Sequence, residues 1–228
     1  MKKIAALALA AVVAVSLSGC TVFDTFISAG DEALLSTDLD TLVDDLSKVP
    51  GIDAVDYDLL IQGDMSYTVS VRAYATDISE DSAHNAFARV TETFASGRFP
   101  EQQALSFSVG PGADSSSTAI YVSSWLDFPT EVIPDEIRYV YDLAEVVGAP
   151  LSLQLDPPGD LDVNYQRYVG ALTLPESVDW PALRQMYDVG TGTEFVAFNL
   201  GGVTMDGGVI PASVEKIAAK TAEANTAA

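Results

Sequence analysis

The sequence predicts an α+β fold in which a helix-strand-strand unit occurs four times along the chain. Apolar residues spaced three and four apart mark amphipathic helices, apolar residues at alternate positions mark half-buried strands, and Gly or Pro residues separate these segments. The helices begin about 45 to 55 residues apart, a spacing typical of repeated structural units. No matching repeat of amino-acid identity accompanies this repeat of architecture.

The first two units are expected within residues 31–126. Helix 31–49 carries a stripe of leucines expected to face the core and ends at Pro50-Gly51. The second helix begins at a cap on Asp77 or Ser79, and its expected core stripe is Ala83, Phe87, Val90 and Phe94. The hairpin that follows each helix is expected from alternating residues at these positions: Tyr57–Gln62 with Ser66–Tyr74, and Leu105–Val109 with Ile120–Val122.

The last two units are expected within residues 127–222. Pro134 opens the third helix and Gly148 ends it, and a shorter fourth helix begins near Asp179 and ends before Gly190. The corresponding strands are predicted near Leu151–Leu155, Gln166–Leu174, Glu194–Phe198 and Val203–Met205, with a last helix over 211–222 and a disordered tail over 223–228.

Pairs of units are predicted to form two modules of order αββαββ, a permuted order of the ferredoxin-like motif. The first module covers residues 31–126 and the second covers residues 127–222. Hairpins favour antiparallel sheets, and the amphipathic helices are expected on one face of them. The modules lie side by side or share one continuous sheet.

The amino terminus has the pattern of an export signal. Lys2 and Lys3 precede the uncharged run Ile4–Val15, which is shorter than the roughly 20 residues that a permanent membrane span requires. Small residues follow, and Cys20 is the only cysteine of the chain. An unpaired thiol in an exported protein is unusual unless it is modified.

The segment Leu17-Ser18-Gly19-Cys20 resembles the lipobox of bacterial lipoproteins. The resemblance covers only the first 20 residues. It implies a signal peptide over residues 1–19, cleavage before Cys20, a diacylglyceryl thioether on Cys20 and an acyl chain on its new amino terminus. Residues 20–30 would then be a lipidated tether, and the protein would lie on the extracytoplasmic face of the cell membrane. The alternative is an ordinary secretory signal followed by a coincidental cysteine.

The composition is globular and strongly acidic. The 228 residues include 11 basic and 33 acidic ones, so loss of Lys2 and Lys3 changes the formal net charge from −22 to −24. Because affinity for nucleic acid depends on Lys and Arg contacts to phosphates, nucleic acid is not an expected partner. The membrane is expected as a partner through the lipid anchor alone.

No catalytic, cofactor or metal motif has its full set of residues. His84 is the only histidine and is interpreted as a surface residue of the second helix. Ser213 and Lys216 have Ser-x-x-Lys spacing without the other penicillin-binding motifs. Asp160, Asp162 and Asn164 have the spacing of a calcium loop that lacks its Gly and Glu, which leaves only a weak calcium contact open.

One sheet face is the best candidate for binding. If Ile120 and Val122 face the helices, alternation places four residues on the opposite face: Arg72, Tyr74, Tyr121 and Trp125. Aromatic rings among hydroxyl groups suit a sugar or a protein partner. Burial of these aromatics between the two modules is the competing interpretation and the favoured one, because exposed aromatic patches are uncommon.

Two functions remain open from the sequence. The first is a lipid-anchored binding or scaffolding protein of the cell envelope, whose partner is an envelope protein or a wall polymer. The second is an envelope hydrolase that acts through two carboxyl groups about 5 to 10 Å apart in one cleft. The large number of acidic residues prevents the sequence from identifying such a pair.

Overall fold

The computed structural model describes residues 34–61, 67–96, 99, 104–111, 117–159, 163–171, 194–200 and 203–206. The chain divides into two compact units, Met1–Thr41 and Leu42–Ala228. The described part of the first unit is residues 34–41, which are helical, and all the strands named below belong to the second unit.

The described residues contain three α-helices and eight strands. Helix α1 covers residues 34–46, α2 covers Glu80–Phe94 and α3 covers Ile133–Val147. The strands are β1 Ala54–Ile61, β2 Tyr67–Tyr74, β3 Ala104–Gly110, β4 Ala119–Val122, β5 Ser152–Asp156, β6 Tyr165–Ala171, β7 Glu194–Leu200 and β8 Val203–Asp206. Short 3-10 turns at Trp125–Asp127 and Thr130–Val132 precede α3.

The ends of α2 and α3 follow from local chemistry. The Ser79 side chain accepts a hydrogen bond from the Ser82 backbone N–H, which satisfies one of the free donors at the start of α2. Pro134 lies in the first turn of α3, where its missing N–H costs no helical hydrogen bond. Gly148 ends α3 in the left-handed conformation, and its N–H bonds to the Ala144 carbonyl.

The eight described strands form one mixed sheet whose strand order is the order of the chain, from β1 to β8. Each hairpin gives an antiparallel pair, as β1 with β2 and β3 with β4. Junctions between hairpins are parallel, as β2 with β3 and β4 with β5. Helices α2 and α3 make the crossovers that parallel neighbours require.

The predicted α+β class is confirmed, but the antiparallel, ferredoxin-like sheet is wrong. A permuted ferredoxin-like module would place β4 beside β2, whereas β3 pairs with β2 in parallel along its whole length. The physical reason is that each crossover helix returns the chain to the adjacent free edge of the sheet. Of the two predicted arrangements, the continuous sheet is the one found, since β4 pairs with β5 across the boundary at 126/127.

The core lies between the sheet and helices α2 and α3. The predicted stripe of α2 is buried, and Phe87 of that stripe meets Phe107 of β3 with ring centroids 4.8 Å apart. The facing residues of β2, β3, β5 and β6 are also buried at every second position. The predicted helices near 179–187 and 211–222 lie outside the described residues, as does the tail 223–228. The division into modules 31–126 and 127–222 stays a prediction.

Candidate functional site

Helices α2 and α3 pack on one face of the sheet, and the other face carries the candidate site. Along β2 every second residue is buried, and the residues between them, Thr68, Ser70, Arg72 and Tyr74, are only partly buried. On β4, Tyr121 lies between the buried Ile120 and Val122 and is 36% exposed. We call this surface the open face.

The strand register places polar and aromatic residues of the open face in a row that crosses the strands. Arg72 pairs with Ser108, Ser108 with Tyr121, Tyr121 with Gln154 and Gln154 with Tyr168. Because neighbouring strands lie about 4.8 Å apart, Tyr121 and Tyr168 are separated by about 10 Å along this row. The row runs across five strands that belong to three hairpins.

A groove of about 320 Å³ lies on the open face beside this row. Its lining includes the small residues Gly110, Ala119 and Ser152. It also includes larger side chains: Arg72, Tyr74, Tyr121 and Gln154. A volume of this size is at the lower end of the range of about 300 to 1,000 Å³ found for small-molecule sites.

Gly110, which lines the groove, allows a close approach of β3 and β4. Its φ is +155°, and a Cβ at this position would lie 2.7 Å from the Cβ of Ala119 and 2.8 Å from its Cα. Any larger residue would therefore force β3 away from β4. The same small pair leaves space above the sheet between the larger side chains.

Charge in the groove is fixed by Arg72. Its Nε donates to Asp56 Oδ1 at 2.8 Å and its Nη1 donates to Asp58 Oδ2 at 2.7 Å. These two hydrogen bonds raise the pKa of Arg72 above its usual value, so the guanidinium stays charged. The Tyr74 hydroxyl donates to Asp56 Oδ2 at 3.2 Å, which holds Tyr74 beside the same carboxylate.

A second polar cluster lies on the open face next to the groove. The Ser123 hydroxyl donates to Asp156 Oδ1, and Gln154 Nε2 donates to Asp156 Oδ2 at 2.9 Å. The Gln154 amide is thus held through its nitrogen, which turns its Oε1 away from Asp156. The negative charge of Asp156 is therefore stabilised by hydrogen bonds from a hydroxyl group and an amide group.

The helix-covered face contains a buried ion pair. Glu136 of α3 and Arg167 of β6 are 3% and 8% exposed, and Arg167 Nε donates to Glu136 Oε2 at 2.6 Å. The Tyr165 hydroxyl donates to Glu136 Oε1 at 2.6 Å, and the Arg167 guanidinium lies 4.3 Å from the centre of the Tyr139 ring. The cluster is enclosed and satisfied, so its role is to fix α3 on the sheet.

No family model, curated protein or solved structure matches this chain.

Three of the four predicted face residues come together at the groove, and the fourth does not. Arg72, Tyr74 and Tyr121 line it, whereas Trp125 is 4% exposed and belongs to the core. The ring of Trp125 stacks on Phe87 at 5.9 Å and meets the ring of Phe94 at 5.7 Å. Placing Trp125 on the open face was therefore wrong.

The error has a local cause. Alternation holds only within a strand, and β4 ends at Val122. Ser124 then adopts the left-handed conformation with φ +46° and starts a 3-10 turn that directs Trp125 under the helices. The favoured interpretation of aromatics buried between two modules is also wrong for Tyr121, because one continuous sheet leaves it exposed.

Three polar groove residues were not predicted from the sequence: Ser108, Ser152 and Gln154. The alternation of β3 and β5 contained the signal, since these residues lie between Phe107 and Val109 or flank Leu153. Alternation alone could not assign Ser152 and Gln154 to the groove, because that assignment also requires β5 to lie beside β4. This neighbourhood follows from the parallel pairing of β4 with β5 and not from the pattern within either strand.

Most of the other candidate site residues from the sequence lie outside the described part of the structure. His84 was expected to be a surface residue; it is half-buried on α2, and its Nε2 lies 3.4 Å from Glu80 Oε1. Cys20 with the lipobox, Asp160, Asp162, Ser213 and Lys216 lie outside the described residues. Asn164 is described at the backbone level as part of a bend before β6.

Within the described ranges, no group of three or more His, Cys, Asp or Glu side chains is arranged to hold a metal ion. Nor does this part of the chain contain a helix whose length and apolar character would allow it to cross a membrane.

Proposed function

We propose that this protein is a lipid-anchored binding or scaffolding lipoprotein on the extracytoplasmic face of a bacterial cell membrane. Cys20 would carry a diacylglycerol and an N-linked acyl chain, and no other cofactor is proposed. Two or three acyl chains anchor a protein far more firmly than one, because each buried methylene adds about 0.8 kcal/mol. The partner is an envelope protein or a wall polymer.

The groove on the open face is the observation that carries the binding function. Small residues, tyrosine side chains and polar groups line it, and its volume is about 320 Å³. Binding sites for small ligands or chain segments are typically concave surfaces of this kind. Within the described part of its lining, Arg72 is the only charged residue, and it is already held by two carboxylates, which suits recognition better than catalysis.

The hydrolase alternative requires two carboxyl groups that face a substrate from opposite sides. The described acidic residues that bond to groove-lining side chains are Asp56 and Asp58 on β1, which share Arg72, and Asp156 on β5, which accepts from Gln154. Because β1 and β5 are four strand spacings apart, about 19 Å, Asp156 cannot act on the same bond as Asp56 or Asp58. An arginine that bridges two carboxylates stabilises charge and leaves no gap for a glycosidic oxygen between them. Among the described residues this arrangement favours binding.

We also propose that the chain is a tandem of four helix-strand-strand units. The described strands support this proposal, because the second strand of each hairpin pairs in parallel with the first strand of the next hairpin. Adding units in chain order extends one sheet and lengthens the open face by two strands each time.

The anchoring part of the proposal is tested by Cys20→Ser and membrane fractionation. The expected result is that wild-type protein sediments with membranes and that the variant appears in the soluble or secreted fraction, because no thioether can form. The matched control is Ser18→Ala, which keeps a small residue before the cleavage site. Equal membrane retention of Cys20→Ser and wild type would contradict lipid anchoring.

The binding part is tested with the full chain immobilised in detergent and exposed to two probes, purified cell-wall polymer and solubilised envelope proteins. The expected result is retention of one probe by wild type and by Leu60→Ala, with loss of retention in Tyr121→Ala. Leu60 is a suitable control because it is 61% exposed on the outer strand β1 and does not line the groove. Retention that is absent, or equal in all three proteins, would contradict a binding function of the groove.

A further inference from the structure

We infer that the groove binds a neutral oligosaccharide, with a sugar ring against Tyr121 and its polar substituents on Ser108, Ser152 and Gln154. This inference rests on the proposed binding function and names the ligand class of the same site. It follows from the charge of the groove, from the chemistry of its surface and from its dimensions.

Charge argues for a neutral ligand. The chain has a formal net charge of −22, so a polyanion would be repelled at long range. Among the described residues that line the groove, Arg72 alone is charged, and its guanidinium already donates to Asp56 and Asp58. A cationic ligand would have to lie beside that guanidinium, and an anionic ligand would have to compete with two carboxylates that are already in place.

The surface chemistry fits a sugar. A pyranose ring presents C–H groups on its flat faces and hydroxyl groups around its edge. Tyrosine rings offer a negative face to such C–H groups, and the exposed ring of Tyr121 is available for this contact. The Ser108 hydroxyl can donate or accept, and the Ser152 hydroxyl, which donates to the Gly170 carbonyl at 3.3 Å, can accept. Gln154 presents Oε1 because its nitrogen is held by Asp156.

The dimensions fit a short glycan that lies across the strands. The groove holds about 320 Å³ above Gly110, Ala119 and Ser152, which is space for one or two sugar rings. Tyr121 and Tyr168 lie in one register row, two strands apart, at about 10 Å. A longer chain that leaves the groove along this row would therefore pass Tyr168 about two rings later.

The experiment is a calorimetric titration of the full chain in detergent with N,N′-diacetylchitobiose and with the corresponding tetrasaccharide. The expected result is saturable binding with a Kd below about 1 mM, tighter for the tetrasaccharide. Tyr121→Ala should weaken binding about tenfold, which corresponds to about 1.4 kcal/mol. Tyr121→Phe should bind nearly as wild type, because the stacking ring is kept.

Two further variants separate an effect on the groove from an effect on folding. Ser152→Phe places a ring in the groove at an exposed lining position and should abolish binding, whereas Leu60→Ala should leave it unchanged. Equal urea midpoints for all variants exclude unfolding as the cause. If Tyr121→Ala or Ser152→Phe binds the sugars as wild type does, the site is elsewhere and the inference is wrong.

Other outcomes distinguish the ligand class from the binding function. If wild type binds neither sugar but still retains an envelope probe through Tyr121, the glycan inference fails and the proposed function stands. If neither sugars nor envelope probes bind, both fail. Equal affinity for an acidic oligosaccharide, such as a short oligogalacturonate, would overturn the requirement for a neutral ligand.

Discussion

The two faces of one sheet differ in almost every physical property. On the helix-covered face, Trp125 is 4% exposed and its ring contacts Phe87, Phe94 and Phe107. On the open face, Tyr121 is 36% exposed and its neighbours along the register are Ser108 and Gln154. Stability is therefore concentrated on one side of the sheet, and the other side can change its side chains at little cost to folding.

The two faces also differ in how far their ion pairs are exposed to solvent. The pair of Glu136 and Arg167 is enclosed by α3 and β6, while Arg72 with Asp56 and Asp58 stays about a third exposed or more. Water and salt screen the second group and hardly reach the first. Substitutions on the two faces should consequently have very different effects, which four measurements can establish.

Trp125→Ala should have the largest effect. Removing a buried indole that contacts three phenylalanine rings leaves a cavity in the core, and we expect the free energy of unfolding to fall by about 4 to 5 kcal/mol. Chemical denaturation followed by far-UV circular dichroism measures it. Leu126→Ala is the matched control, because this neighbour is 40% exposed and should change stability by less than about 0.5 kcal/mol.

A small effect of Trp125→Ala, comparable with that of Leu126→Ala, would mean that the indole is not part of the core. The helix-covered face would then not extend to the 3-10 turn, and Trp125 would be interpreted as a surface residue.

Breaking the buried pair should rank second. Arg167→Leu leaves the Glu136 carboxylate buried with Tyr165 as its remaining donor, and a loss of about 3 to 4 kcal/mol is expected. The triple variant Glu136→Leu, Arg167→Leu, Tyr165→Phe removes the polar groups together and should recover much of that loss. Arg138→Ala is the control, since its pair with Asp135 lies in the same helix but is exposed.

The comparison of single and combined variants is decisive here. Additive losses in the combined variant would indicate that Glu136 and Arg167 stabilise the fold independently, and the interpretation as one satisfied cluster would have to be abandoned.

Tyr141 provides a pH-dependent test of the helix-covered side. Its hydroxyl donates to the Ile78 carbonyl at 2.7 Å, and burial, with the charges of Asp77 and Glu80, raises its pKa to about 12. An unfolded tyrosine titrates near pH 10. Both states hold the proton below pH 10, and between pH 10 and 12 the unfolded state loses it first, so stability falls as pH rises through this window.

The measurement is the stability difference between wild type and Tyr141→Phe as a function of pH. Below pH 10 wild type should be more stable by about 1 kcal/mol because of the hydrogen bond. The difference should narrow between pH 10 and 12, since phenylalanine does not ionise. A difference that stays constant from pH 9 to 12 would show that Tyr141 ionises equally in both states.

Much of the fold was predictable because it depends on local patterns. The stripe containing Phe87 and Val90, the Ser79 cap and the Gly148 end all appear as expected, since amphipathic spacing and capping act within a few residues. The strand order was not predictable in the same way. Whether β3 or β4 lies beside β2 depends on how a helix crosses the sheet, and hairpin patterns are compatible with both.

The site was predictable only in part. Alternation within β2 and β4 correctly placed Arg72, Tyr74 and Tyr121 on one face. It failed at Trp125 because a single left-handed residue, Ser124, ended the strand pattern. The groove itself depends on Gly110 and Ala119 lying opposite each other, which is a property of register and could not be read from either strand alone.

Arg72→Gln should have the smallest effect on stability. The variant loses two charge-assisted hydrogen bonds to Asp56 and Asp58, but these groups are partly exposed, so the expected cost is at most about 1 kcal/mol. The cost should shrink further in 1 M NaCl, because the Debye length falls to about 3 Å. Arg72→Lys is the matched control that keeps the charge without the forked geometry.

A loss of several kcal/mol in the free energy of unfolding that persists in 1 M NaCl would mean that the Arg72 cluster is shielded from water as the Glu136 cluster is. The open face would then be a second packed surface, and a ligand could not reach the groove without displacing whatever covers it.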